Sequence, residues 1–135
     1  MIKRKIEKDK FNNIIKRLFE VKLTKDDLIS LPLLSDKYGF KHQFPNKDIL
    51  KNVIKYIATI DPDADLNWID TSNITDMSEL FARENISINF DISKWDVSNV
   101  TNMEEMFKDQ IYFNCNLSNW DVSNVIFMNK MFKGC

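Results

Sequence analysis

Glycine and proline are scarce in this chain, two and three among 135 residues. No stretch of it therefore reads as a flexible linker. A single compact unit is expected, and a chain of this length buries roughly two-thirds of its unfolded surface, enough for one core. Two cysteines, Cys115 and Cys135, are too few for a disulfide framework. Cys115 reads as a core residue and Cys135 as a loose thiol. No apolar run approaches the ~20 residues of a membrane span, so no membrane partner is expected. The one histidine, His42, excludes a His-rich metal site, and no Gly-rich phosphate loop occurs. Cys115 with His42 is the sole nucleophile and base combination available. His42 alternates with Phe40 and Phe44, which reads as a structural setting, and no catalytic, metal or cofactor site is expected.

What the chain has instead is a sequence that returns. WDVSNV at residues 95–100 recurs intact at 120–125. Met103, Met106, Phe107 and Lys108 find equivalents in Met128, Met131, Phe132 and Lys133, and a looser copy holds Asp70, Ser72, Asn73, Thr75, Met77, Leu80 and Phe81. A period near 25 residues is the mark of stacked units. Within each copy, Trp95 and Val97 alternate around Asp96 as a half-buried strand does, and Ser98 and Asn99 supply turn chemistry. The spacing of Met103, Met106 and Phe107 predicts a short helix, started by Thr101 or Asn102 with Glu104 or Glu105 as the capping partner, and by Asp76 with Glu79 in the first copy. Asn73, Asn99 and Asn124, with Asn89 and Asn114, are expected to form ladders that satisfy turn backbone groups.

Residues 1–60 are not repetitive. Phe11, Ile14, Ile15, Leu18 and Phe19 form a stripe that predicts a helix over 3–20. A second helix is expected after Thr24, with Asp27 three residues on, running to about Ser30 before Pro32 interrupts it. Phe40, His42 and Phe44 suggest extended chain, and a third helix is expected from Asn46, burying Ile49, Leu50, Val53, Ile54 and Ile57. Asp61, Asp63 and Asp65 open like a calcium loop, but Leu66 and Ser72 stand where Gly and a bidentate Glu are required. DPDAD therefore reads as helix termination and turn.

WDVSNVTNMEEMF at 95–107 and NCNLSNWDVSNV at 114–125 resemble the BspA-like leucine-rich-repeat surface proteins, also called the mycoplasma lipoprotein repeat. FPNKDILKNVI and DADLNWIDTSNITDMSELF, at 44–54 and 63–81, are similar to the segment leading into such arrays. The resemblance implies strand–turn–helix coils, a role in protein recognition or adhesion, and no catalytic residues. With the repeats it gives the expected fold: an α/β, leucine-rich-repeat-like solenoid of about two and a half 25-residue coils over 61–135, with a helical N-terminal cap over 1–60. Residues 1–20 lack the apolar core and cleavage site of an export signal, so a cytoplasmic location is expected.

The function expected is a non-catalytic protein-binding module. Two alternatives stand beside it: a small phage or mobile-element inhibitor of a host defence nuclease, acting through an acidic face, and a fragment of an adhesin. Charge motivates the first, since residues 61–107 hold eleven acidic residues against Arg83 and Lys94, while 1–25 hold nine basic against three acidic. Asp91, Asp96, Glu104 and Glu105 are the candidate contacts for a basic partner. Nucleic acid is not expected at the basic segment, whose charges alternate with Glu7, Asp9 and Glu20 without interleaved aromatics. The last copy departs from its own pattern. Ile126 and Phe127 replace the polar pairs Thr75–Asp76 and Thr101–Asn102. With Tyr112 they form either an exposed apolar patch, able to hold a partner or a second copy at the open C-terminal end, or an inward plug.

Overall fold

The computed structural model describes residues 1–82 and 87–135. Three helices come first, α1 (Ile2–Phe19), α2 (Lys25–Tyr38) and α3 (Lys47–Ile60). Two strands of two residues each, β1 (His42–Gln43) and β2 (Ile69–Asp70), pair in parallel with His42 opposite Ile69.

α1 buries Phe11, Ile14, Ile15 and Leu18, one stripe at helical spacing. Phe19, expected in that stripe, is exposed, although its ring meets His42 and Phe44 at 6.0 Å. α2 starts on a capping box in which Thr24 accepts from the Asp27 amide and Asp27 from the Thr24 amide. It does not stop before Pro32. The helix runs on to Tyr38 because Leu34 and Ser35 are buried beyond that point and Gly39, at φ 73°, closes the end in the left-handed conformation. That burial and closure offset the ~3 kcal/mol cost of an interior proline. α3 begins where expected, with Asn46 accepting from the Ile49 amide, and it buries Leu50, Val53, Ile54, Ile57 and Ala58.

The expected α/β leucine-rich-repeat solenoid is not the architecture found. The regular secondary structure is mostly helical, and among the described residues helix is confined to the first 60 while the only strand in 61–135 is β2. The helices expected after each motif copy are turns. Glu79, Glu105 and Lys130 all have positive φ, at 59°, 55° and 56°, which no α-helix tolerates. The amides of Leu80, Met106 and Met131 donate to the carbonyls three residues back, as in a type II turn with its left-handed residue third. Asp76 and Asn102 accept from the amide two residues on, at 2.8 and 2.9 Å, making Asx turns rather than helix caps. A six- or seven-residue segment is too short to offset helix nucleation, and its amides have other partners.

Those partners lie on the next copy. Met77, Glu79 and Phe81 donate to the carbonyls of Asn102, Glu104 and Met106 at 2.8–2.9 Å, and Met103, Glu105, Phe107 and Asp109 donate to Phe127, Asn129, Met131 and Lys133 at 2.7–3.0 Å. Parallel bridges join Asp76 to Asn102 and Asn102 to Phe127. The expected asparagine ladder is present, with the amides of Asn73, Asn99 and Asn124 donating to the carbonyls of Phe44, Ser72 and Ser98 at 2.7–2.9 Å. Trp95 and Trp120 are buried and their indole N–H groups reach Leu66 and Ile92 carbonyls. Phe81, Phe107 and Phe132 stack face to face at 5.4 Å.

Two predictions follow from this packing. Trp95→Ala should cost about 4 kcal/mol through cavity formation and the loss of its hydrogen bond, read from a denaturant melt; an unchanged midpoint would deny its place in the core. Glu79→Gly separates turn from helix. In the turn it should leave stability unchanged or raise it by up to about 1 kcal/mol, whereas a helical Glu79 would lose about 1 kcal/mol on the same change.

Candidate interaction site

The acidic residues singled out from sequence lie in the turns of the second and third segments of the stack. Each falls in a row with its counterparts in neighbouring copies, Asp65 bridging to Asp91, and Asp96 lying near enough to Asp121 for their charges to oppose. Each aspartate also has internal work. Asp91 accepts from the Ser93 amide and hydroxyl at 3.1 and 2.8 Å and from the Asn67 side chain at 3.0 Å. Asp96 accepts from the Ser98 amide and hydroxyl at 3.0 and 2.6 Å. Glu105 is half-buried beside Lys108 at 3.5 Å, while half-buried Glu104 has its amide on Asn102. Arg83, counted against these acids, lies outside the described residues.

These hydrogen bonds favour the ionised carboxylates. Ser98 and Ser123 hold the carboxyls of Asp96 and Asp121 below the usual carboxylate range. For Asp76 and Asp91 burial pushes upward, but the serine bonds, with Lys47 or Asn67, outweigh it and the net shift is downward. Asp27 is lowered by the Arg17 guanidinium, which meets it at 2.7 and 3.2 Å. Asp65 goes the other way, raised by burial and the nearby Asp91.

The aspartates of the DPDAD stretch make turns, as expected. Asp61 caps α3 and accepts from the Asp63 amide, and Asp65 accepts from the Asn67 amide and side chain. Among the described residues no cluster of three or more His, Cys, Asp or Glu is placed to hold a metal ion. His42 packs against Phe19 and Phe44, its pKa lowered by burial. Cys115 lies 3.9 Å from Asp91, and burial raises its thiol pKa, which favours the unreactive protonated form. No hydrogen bond or ring contact joins His42 to Cys115.

The apolar candidates are placed differently. Ile126, Phe127 and Tyr112 are 73%, 51% and 68% exposed, so they form no inward plug. Phe127 lacks the side-chain oxygen that its equivalents Asp76 and Asn102 use, and the Asn129 amide has no such acceptor. Phe132, Met128, Val122 and Ile111 join the exposed set. Sequence reasoning missed Phe132 because its equivalents Phe81 and Phe107 are buried. The signal lay in the stack itself, since each phenylalanine is covered by the next and the last has an open face.

The direction of the carboxylate shifts gives a pH prediction. A carboxyl whose folded pKa lies below its unfolded value stabilises the fold fully above that unfolded value and loses the contribution as pH falls through the folded one. Five aspartates are lowered and Asp65 alone is raised. The thermal midpoint should therefore fall as pH drops from about 5 toward 2. Asp27→Asn should cost about 2 kcal/mol at neutral pH and flatten part of that slope; an equally steep slope in the variant would remove the Arg17 pair from the account.

Among the described residues no helix is long and apolar enough to cross a membrane. No curated protein and no solved structure matches the chain. A family model described as "Mycoplasma protein of unknown function, DUF285" matches residues 48–135, from the start of α3 through all of the motif copies, and the chain belongs to that family.

Proposed function

We propose that this protein is a non-catalytic protein-binding module whose contact surface is the apolar end formed by Tyr112, Ile126, Phe127 and Phe132. The observation that carries the reading is the simultaneous exposure of these large side chains, in a chain that buries Phe81 and Phe107 at the positions equivalent to Phe132 and places the hydrogen-bonded Asp76 and Asn102 at those equivalent to Phe127. Contiguous exposed apolar surface with aromatic anchors is what protein contacts use. The acidic rows support contact less well, because the Asp91 and Asp96 carboxylates are engaged in turns and offer a partner fewer free lone pairs. The likeness of the tandem WDVSNV copies to BspA-like surface proteins supports recognition rather than chemistry. A cytoplasmic setting is part of the proposal and draws on the two free thiols, Cys115 and Cys135.

The test compares two variants in partner capture at low and high salt. Ile126→Thr with Phe127→Asn should stay folded by circular dichroism and weaken binding at least tenfold at both salt concentrations. Asp91→Asn with Asp96→Asn keeps the side-chain acceptors and should bind as the parent does. The opposite pattern, a salt-sensitive loss confined to the aspartate variant, would move the contact to the acidic rows.

A further inference from the structure

The charge asymmetry along the chain becomes, in the fold, a gradient across one face. At one end an open cleft is walled by Arg4 and Lys8 of α1 and by Phe40 and Lys41. The Arg4 guanidinium and the Lys8 ammonium stand 4.8 and 4.7 Å from the centre of the same Phe40 ring, and Arg4 donates to the Tyr38 carbonyl at 3.0 Å. Ring and carbonyl thus hold together two cations, four residues apart on a helix, that repel each other. Asp70 lines the same cleft and begins the acidic end. Asp70, Asp96 and Asp121 each stand three residues before an asparagine of the ladder, so the bonds from Asn99 to Ser72 and from Asn124 to Ser98 set them in one row. Their turn bonds all go to Oδ1, and Oδ2 takes none of them. Lys41 is near enough to Asp96 to favour its ionised form, whereas Asp121 opposes it. Among the described residues none of Arg4, Lys8, Lys41, Asp70, Asp96 and Asp121 belongs to an ion pair. Like charges are gathered at both ends of the face, and neither group has its counter-ions within the chain.

We infer that this face joins two copies of the chain about a two-fold axis, the Arg4, Lys8 and Lys41 cluster of each resting on the Asp70, Asp96 and Asp121 row of the other. Charge complementarity selects this occupant, because a second copy turned through half a turn presents carboxylates to the cations and cations to the carboxylates at once. A separate polyanion fits less well, since Asp9 and Asp70 fence the cleft and the aspartate row would stay unmatched. Single-stranded nucleic acid also needs rings open to its bases, and Phe40 is buried. An anionic membrane fails on geometry. Ile2 and Ile6, the exposed apolar residues of α1, stand two positions from Arg4 and Lys8 and so on another side of the helix. Exposed ion pairs are weak singly. The two-fold axis repeats each of them, and the resulting association is reversible and sensitive to salt. It is separate from the apolar surface at Ile126 and Phe127.

Sedimentation velocity of the full chain should show a dimer and no larger species, with a dissociation constant that rises about tenfold or more between about 0.05 M and about 0.5 M sodium chloride. Two neutralised variants test the reciprocity. Arg4→Gln with Lys41→Gln removes cations, and Asp96→Asn with Asp121→Asn removes charge while keeping the side-chain acceptors that the Ser98 and Ser123 amides use. Each alone should dimerise about tenfold more weakly than the parent. An equimolar mixture of the two should regain hetero-association, because the mixed pair restores one of the two contacts. Should either double variant unfold, Lys41→Glu, at an exposed side chain, carries the same expected loss. Ile126→Thr with Phe127→Asn should dimerise as the parent does. A monomeric parent at low salt, association indifferent to salt, a series of larger oligomers, a mixture no tighter than its components, or loss of the dimer in the Ile126 and Phe127 variant would each overturn the inference. So would binding of a polyglutamate peptide or of single-stranded RNA by a monomeric parent, since the cleft would then have another occupant.

Discussion

The rest of the structure depends on one interaction, the hydrogen bond from an amide of one motif copy to a carbonyl about 25 residues later. Four such bonds, from Met103, Glu105, Phe107 and Asp109, fix the register between the second and third copies. Once register is fixed, the side-chain columns have little freedom. Phenylalanine falls on phenylalanine, asparagine amides meet the carbonyls of the preceding copy, and each later tryptophan reaches back to a carbonyl 28 or 29 residues earlier. Buried amides must find acceptors somewhere, and taking them from a neighbouring copy is what leaves the turns irregular. The left-handed residues at Glu79, Glu105 and Lys130 are the conformational cost of aiming alternate amides outward.

The same bond explains what was legible in the sequence and what was not. Columns were legible, because a side chain that must match its copy in the next turn has to recur; Asn73, Asn99 and Asn124 and the pair Trp95 and Trp120 were assigned correctly from recurrence alone. The conformation of the segment holding Met103, Met106 and Phe107 was not. Residues three apart approach each other in a helix and also across a four-residue turn, so the spacing of the methionines does not distinguish them. Capping-box chemistry misled for a similar reason, since Asp or Asn bonds an amide two residues on in an Asx turn as readily as three residues on at a helix start. At Pro32 a local rule lost to burial. At the site, the departure of Ile126 and Phe127 from their columns was legible, but it left an exposed patch and an inward plug equally open, because a broken column does not say which way its residues turn; Phe132 keeps its column and is exposed all the same.

Where the helices meet the first copy, the columns have to begin against unlike neighbours. β1 supplies one join, with the His42 amide donating to the Trp68 carbonyl, and Phe44 supplies another, accepting from Asn73 and setting its ring against Trp68 at 6.3 Å. Lys47 adds a third through Asp76 and Ser78. Trp68 shows what this substitution of helix for repeat leaves behind. Its indole N–H is fully buried and has no acceptor, although Trp95 and Trp120 find theirs in the preceding copy. An unmet buried donor costs on the order of 1–3 kcal/mol. Burial of the largest side chain in the fully enclosed core outweighs it, since an aromatic of that size removes 150–250 Å² from water by the usual range.

The two ends of the stack are therefore chemically unlike. At the front, side chains and helices satisfy most of what they bury, whereas the last copy leaves Ile126, Phe127, Met128 and Phe132 exposed. Recurrence keeps a column in the core only where a neighbour covers it, so one residue type is buried in one copy and at the surface in the next, as Phe107 and Phe132 are.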